Sequence, residues 1–273
     1  MSAEFSYVTL VTNADYALGA LALARSLKAV GSQAGLTVLA TPEAANKLPG
    51  SHGLAQLEST GATIRLVEPL PTSTEFTDRH SRKSQQARSP LSKGAKPVFH
   101  DPLDNFCKLY LWQLENFQRI VFLDADTLVV KNIDRLFGYP QFSAAPNLHE
   151  SLADMHQLNS GVFVAEPSIE TYEHMLAGLD SPNAYWPRTD QTFLEQYFPG
   201  WHGLPYTYNT LQYVFFNLPA LWQWRSIHVV HYQHEKPWQE HNPRRAELLP
   251  LIELWHRMLD GESPPDELRT PHG

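Results

Sequence analysis

The sequence predicts an α/β fold with a mainly parallel central sheet flanked by helices, and three observations lead there. Strand-like and helical spacings alternate from Phe5 to Val67. An apolar run near mid-chain stops abruptly at two carboxylates. Of the 273 residues 42% are hydrophobic, which is enough for one sizeable core. Alternation of this kind covers a sheet with helices, because a parallel strand is reached only through a crossover.

Phe5 to Val11 is apolar and rich in strand formers, and it ends at the polar Thr12 and Asn13. From Asp15 the spacing turns helical, with Leu18, Leu21, Ala22 and Val30 on one stripe and Gly31 as the stop. A strand at Leu36 to Ala40, a helical stretch around Leu54 to Leu57 and a strand at Ala62 to Val67 continue the alternation. The pattern then dissolves into a long basic loop, residues 69–104, rich in Pro, Ser, Lys and Gln. Arg79, Arg82, Lys83, Arg88, Lys93 and Lys96 fall there with no acidic residue among them, so the loop reads either as a solvated excursion or as a flap over an anionic ligand.

Regular structure returns with a helix at Asn105 to Asn116 and a buried strand at Arg119 to Leu123. Another strand follows at Asn159 to Ala165, helices at Ser168 to Leu179 and Gln191 to Tyr197, and a late strand at Ser226 to Tyr232. Leu248, Ile252, Trp255 and Leu259 recur at three or four residues, the stripe of an amphipathic helix. One domain over residues 1–260 is expected, with 261–273 as a frayed, Pro-rich tail.

Composition excludes several classes. With 21 basic and 29 acidic residues the net charge is −8, which argues against nucleic acid as a partner. The single cysteine, Cys107, cannot form an internal disulfide and points to a reducing compartment. Met1 to Ser6 lack a basic and then apolar leader, and no apolar run approaches the roughly 20 residues of a membrane helix. A cytoplasmic protein is expected.

The strongest chemical signal is the strand Ile120 to Leu123 running into Asp124-Ala125-Asp126. Ligands of open α/β sheets bind beyond the carboxyl ends of strands, and in an extended segment residues i and i+2 face one way, so both carboxylates can meet one hard cation. The alternative is a pair of turn or cap aspartates. A second signal is Ile227 to Trp238, where a strand delivers His231 and then Lys236. Imidazole added to two carboxylates suits Mn²⁺ better than Mg²⁺, and Lys236 offers a compact charge for a diphosphate. His228, His231 and His234 alternate faces on a strand, so a three-histidine zinc site is not expected.

Together these segments resemble glycosyltransferase family 8, the family of glycogenin and galactinol synthase. The resemblance runs from Tyr7 to Trp238. Phe5 to Ala20 is similar to its opening strand and donor-binding turn, Phe122 to Val129 to its metal segment, and Asn159 to Phe163 to its sugar-contacting strand. Asp190-Gln191 is similar to its catalytic pair, Leu204-Pro205 with Tyr208-Asn209 to its core-to-acceptor turn, and His231 through Trp238 to its closing motif. Two departures stand out: Ala184 to Thr189 replaces a segment rich in acid and glycine, and the closing motif is shorter and lacks its glycine.

The resemblance implies a Rossmann-like nucleotide-sugar transferase fold of GT-A type and metal-dependent, retaining transfer of a glucose- or galactose-type hexose from a UDP-sugar to a small-molecule or glycan acceptor. It implies Mn²⁺, with Mg²⁺ as the alternative, on Asp124, Asp126 and His231. Leu10, Thr12, Asn13 and Tyr16 would hold uridine, and Lys108, Ala125, Asn159, Ser160 and Lys236 would complete the donor site with the two aspartates. Asp190 and Gln191 would lie at the anomeric carbon. Retention then requires either Asp190 as a carboxylate nucleophile or same-face attack. The alternatives are a non-catalytic sugar-nucleotide binder and a glycogenin-like initiator that glucosylates itself, although Phe215 occupies the acceptor-tyrosine position, with Tyr213 nearby. A homodimer is left open.

Overall fold

The structure, a computed structural model, describes residues 4–46, 53–81, 83–84 and 101–270. Most of the basic stretch from Arg79 to Lys96, the candidate flap, including Arg82, Arg88, Lys93 and Lys96, lies outside the described residues.

The first half runs β1 Phe5–Val11, α1 Ala14–Ala29, β2 Gly35–Ala40, α2 Pro42–Asn46, α3 Leu54–Ser59, β3 Thr63–Leu66 and α4 Thr74–His80. A 3-10 segment, Asp104–Gln113, leads into β4 Arg119–Leu123, β5 Thr127–Val129, β6 Ser143–Pro146 and β7 Leu158–Ala165. Then come α5 Ile169–Leu179, α6 Asp190–Tyr197, β8 His202–Gly203, β9 Thr210–Leu211, α7 Val214–Asn217, β10 Val229–His231 and α8 Arg245–Leu259.

The main sheet has seven strands in the order β3-β2-β1-β4-β7-β6-β8. It is mostly parallel: β1 pairs in parallel with β2 and β4, β2 with β3, and β6 with β8, while β7 is antiparallel to β4 and β6. From β1 the chain winds outward to β3 and then returns to lay β4 on the other side of β1. That reversal is a topological switch point, which opens a crevice beyond the carboxyl ends of β1 and β4. A small second sheet, β5-β10-β9, closes the far side of the crevice.

Strand alternation explains the packing. In β4, Val121 and Leu123 enter one core with Tyr7, Val11 and Leu23, whereas Ile120 and Phe122 enter the opposite core with Phe106, Trp112 and Phe163. Both faces are covered, so β4 and β7 read as continuous apolar runs. A third cluster joins β10 to α8 through Val230, Leu251 and Trp255. Asn13 opens α1 as its N-cap, its side chain accepting the Tyr16 N–H at 3.1 Å. α1 then passes so close to the β4–β5 turn that a Cβ on Gly19 would collide with the carbonyl oxygen of Ala125.

Several expectations are corrected. The stretch after Pro69 contains α4, capped by Ser73 and anchored by the buried Phe76 and His80. His80 Nε2 accepts the Trp186 backbone N–H at 2.9 Å, and two anchors are too few to show as a period. The segment expected as a helix over Asn105 to Asn116 is the 3-10 segment, and the late strand shortens to Val229–His231. The tail after Asp260 is laid against the protein as far as Leu268. The Trp222 and Trp224 indole N–H groups donate to the carbonyls of Leu268 at 3.2 Å and Pro265 at 2.9 Å, because buried indoles need acceptors. Among the described residues no helix is long and apolar enough to cross a membrane.

The tail contact is testable. A chain ending at Gly261 should lose about 2 kcal/mol in urea unfolding, roughly 1 kcal/mol for each orphaned indole donor. An unchanged midpoint would return the tail to the frayed state that its composition predicts.

Candidate active site

β4 ends at Leu123, and Asp124-Ala125-Asp126 forms a turn closed by the Thr127 N–H donating to the Asp124 carbonyl at 3.0 Å. The two carboxylates therefore converge across a turn, not along the extended segment that the sequence predicted. Their third partner arrives on β10, whose antiparallel register with β5 sets His231 opposite Thr127. His231 Nε2 lies 3.2 Å from Asp126 Oδ1 and 3.9 Å from Asp124 Oδ2. One donor atom from each of the three side chains falls within 4.8 Å of the others, a geometry that can hold a metal ion. The donor set of two carboxylates and an imidazole fits a divalent transition ion.

Two buried lysines flank this trio. Lys108 spends its ammonium on Asp190 Oδ2 at 2.7 Å, Asp124 Oδ1 at 3.1 Å and the Ser160 carbonyl at 3.1 Å. Three acceptors match its three N–H donors, so it bridges Asp124 to Asp190. Lys236 pairs with the Asp126 carboxylate and donates to the Tyr232 carbonyl at 2.8 Å. Burial would raise the Asp126 pKa, but Lys236 and His231 overcome it and hold the carboxyl well below the usual range. At Asp124 burial prevails, reinforced by Asp126 and Asp190 against Lys108, and its pKa is raised. Burial would depress Lys108, yet Asp124 and Asp190 raise it. The Tyr16 hydroxyl is pushed up by burial and then by Asp126 and Asp124.

Asp190, on the first turn of α6, is held by every neighbour. Ser160 Oγ donates to its Oδ2 at 2.7 Å and Thr189 Oγ1 to its Oδ1 at 2.9 Å. Thr189 has a φ of 51°, a strained value for a β-branched residue, and Asn105 Nδ2 donates to its hydroxyl at 3.2 Å. Strain immediately before a carboxylate fixed on both oxygens marks a site that the surrounding structure over-determines.

Lys108, Asp124, Asp126, Asp190, His231 and Lys236 line one cavity of about 810 Å³. Leu10, Thr12, Tyr16, Ala125, Asn159, Ser160 and Gln191 line it with the charged groups. Asn13 is not among the lining residues, because its side chain caps α1. His228 is also elsewhere: it stacks on Tyr208 at 4.4 Å and bonds the Ser226 carbonyl, and burial lowers its pKa.

The cavity continues past the trio to an aromatic and charged end that sequence reasoning missed. His149 and Tyr213 have ring centroids 4.4 Å apart, His234 and Arg244 adjoin Tyr213, and the Tyr213 hydroxyl donates to the Glu235 carboxylate. The sequence singles out Tyr213 there, as a stand-in for Phe215, and His234, as part of the closing motif, but does not bring the two together. Phe215 itself is fully buried in the third cluster against Trp222. Thr189 lay in the segment flagged as departing from the family, and Asn209 in a motif to which no role was attached.

Comparison with known proteins agrees with this geometry. The family description "Glycosyl transferase family 8" matches residues 7–242. Glycogenin-1 of Mus musculus is 34% identical over 249 residues, which cover 88% of this chain and 67% of that protein. Putative UDP-glucuronate:xylan alpha-glucuronosyltransferase 5 of Arabidopsis thaliana is 33% identical over 243 residues, covering 86% of this chain but only 36% of that protein. In fold the chain is similar to galactosyltransferase LgtC, solved with donor and acceptor sugar analogues: TM-score 0.59, 16% identity, 96% of this chain and 98% of that one. The matched span takes in the cavity from Leu10 to Lys236, and with its GT-A architecture the chain belongs to glycosyltransferase family 8.

Proposed function

We propose that this chain is a metal-dependent, retaining glycosyltransferase that moves a glucose- or galactose-type hexose from a UDP-sugar to a small-molecule or glycan acceptor. The observation that carries the reading is the convergence of Asp124, Asp126 and His231 with Lys108, Asp190 and Lys236 on one cavity at the switch point. A divalent ion held by the trio, Mn²⁺ by its mixed donor set, would neutralise charge on the departing diphosphate.

The chain's own residues account for the rest. Leu10 and Thr12, at the carboxyl end of β1, and Tyr16, in the first turn of α1, offer an apolar and aromatic wall for uracil and ribose. Lys236 adds a compact positive charge on the Asp126 side, in a pocket where water screens little. Lys108 holds Asp190 and Asp124 in fixed relation. The hydrogen bonds from Lys108, Ser160 and Thr189 engage both oxygens of Asp190, which favours same-face attack over a covalent intermediate. Gln191 lies beside it on the same cavity wall. The end bearing His149, Tyr213 and His234 presents flat rings suited to an acceptor. A cytoplasmic location accords with Cys107, a buried free thiol that burial pushes up to about 12.

Self-glucosylation is the second reading, favoured by Tyr213, whose ring lines the cavity. Against it, Phe215 has no oxygen to glycosylate, and the Tyr213 hydroxyl is engaged by Glu235 with its pKa raised by burial.

Asp124→Asn should lower Mn²⁺-supported UDP release from UDP-glucose or UDP-galactose by at least about 100-fold, with an unchanged circular dichroism spectrum. Turnover at the wild-type rate in that variant, or in chelated wild type, contradicts the metal assignment. Asp126→Asn should lose turnover too, and also about 3 kcal/mol of stability, because it strips the buried Lys236 of its counter-charge. An Asp126→Asn unfolding midpoint equal to that of wild type would show that this ion pair is not what holds Lys236. Intact mass should not change after incubation with UDP-glucose and Mn²⁺. A hexose ladder mapping to Tyr213 would move the assignment to the second reading.

A further inference from the structure

We infer that Asn209 is a positioning residue that fixes which nitrogen of His231 faces Asp124 and Asp126, and that the orientation originates in one backbone amide, the Gly161 N–H. The inference rests on the proposed metal site and adds what holds its imidazole in place.

The chain of constraint has no free choice in it. A backbone N–H can only donate, so the Asn159 atom 2.9 Å from the Gly161 nitrogen is the carbonyl oxygen, Oδ1. The Asn209 atom 2.8 Å from that oxygen must then be the amide nitrogen, Nδ2, which turns Asn209 Oδ1 toward His231. Oδ1 can only accept, so the His231 nitrogen 2.9 Å away, Nδ1, carries a hydrogen. The nitrogen that gives up its hydrogen to take an ion is therefore Nε2, the one aimed at both carboxylates. Asn159 Nδ2 donates to Asn147 Oδ1 at 2.9 Å, which is consistent with the orientation that the Gly161 N–H imposes. Asn159, Asn209 and His231 are 2%, 1% and 4% exposed, so water does not compete for these bonds.

Gly161 acts a second time through its missing side chain. A Cβ there would lie 2.6 Å from His231 Nδ1 and 2.8 Å from Asn159 Oδ1, so only glycine lets the ring sit against the strand. Three segments far apart in sequence, β7, the turn before β9, and β10, are thereby locked to one imidazole orientation. Outer-sphere partners of this kind are worth about 10–100-fold in metal affinity.

Two measurements test this. In ¹⁵N-histidine-labelled wild-type protein, with His231 assigned by its loss in His231→Gln, a solvent-protected Nδ1–H correlation is expected both without metal and with Mg²⁺. A His231 ring whose Nδ1 carries no hydrogen overturns the inference, and this readout needs neither a folded variant nor turnover. For Mn²⁺ alone, titrated by electron paramagnetic resonance, Asn209→Leu should weaken binding about 10–100-fold. Asn209→Asp, which still accepts from Nδ1, should bind more tightly than the leucine variant, and excess Mn²⁺ should restore Asn209→Leu turnover. Wild-type Mn²⁺ affinity in both variants overturns the inference. Wild type that shows the Nδ1 hydrogen but takes up no Mn²⁺ defeats the metal reading and leaves the positioning of the ring supported.

Discussion

Five charges share the floor of one crevice, and each is tolerable there only because of its neighbours. Lys108 and Lys236 are each 3% exposed, and burying an ammonium costs several kcal/mol unless an anion lies against it. Asp190 and Asp124 answer the first, Asp126 the second. The carboxylates gain in turn, since Asp124 and Asp126 would otherwise repel across a short turn. The surplus of negative charge left between them, facing His231, is what a divalent ion would neutralise.

Topology makes this pairing reachable. β1 and β4 lie side by side because the chain winds out to β3 and returns, and their carboxyl ends define the crevice. The β4–β5 turn carries the chain from the main sheet into the small one, so Asp124 belongs to the end of one and Asp126 to the start of the other. β10 brings His231 beside that turn through its register with β5, and Lys236 follows five residues later. α1 closes the other side so tightly that Gly19 admits no side chain. The site is a seam between two sheets.

Much of this was legible in the sequence, for reasons that can be named. β1 and β4 are covered on both faces, so they read as apolar runs, and a run ending in two aspartates marks both strand end and site. Asn13 shows an ambiguity of sequence, because a polar residue after a strand serves equally as a helix cap or a ligand contact, and its side chain does cap α1. Lys108 was placed at the site, but its partners Asp190 and the Ser160 carbonyl are set by tertiary contact and leave no local trace. β5, β6, β8 and β9 are two to four residues long and too short to alternate visibly. The tail composition predicted fraying, and the two tryptophans that hold it lie some forty residues upstream.

The shared-ion site is tested most directly by manganese anomalous scattering from crystals grown with Mn²⁺ and UDP. One peak within bonding reach of Asp124, Asp126 and His231 Nε2 is the expected result. A peak held instead by His149, His234 or His241 at the outer end of the cavity, with the trio bare, would contradict it.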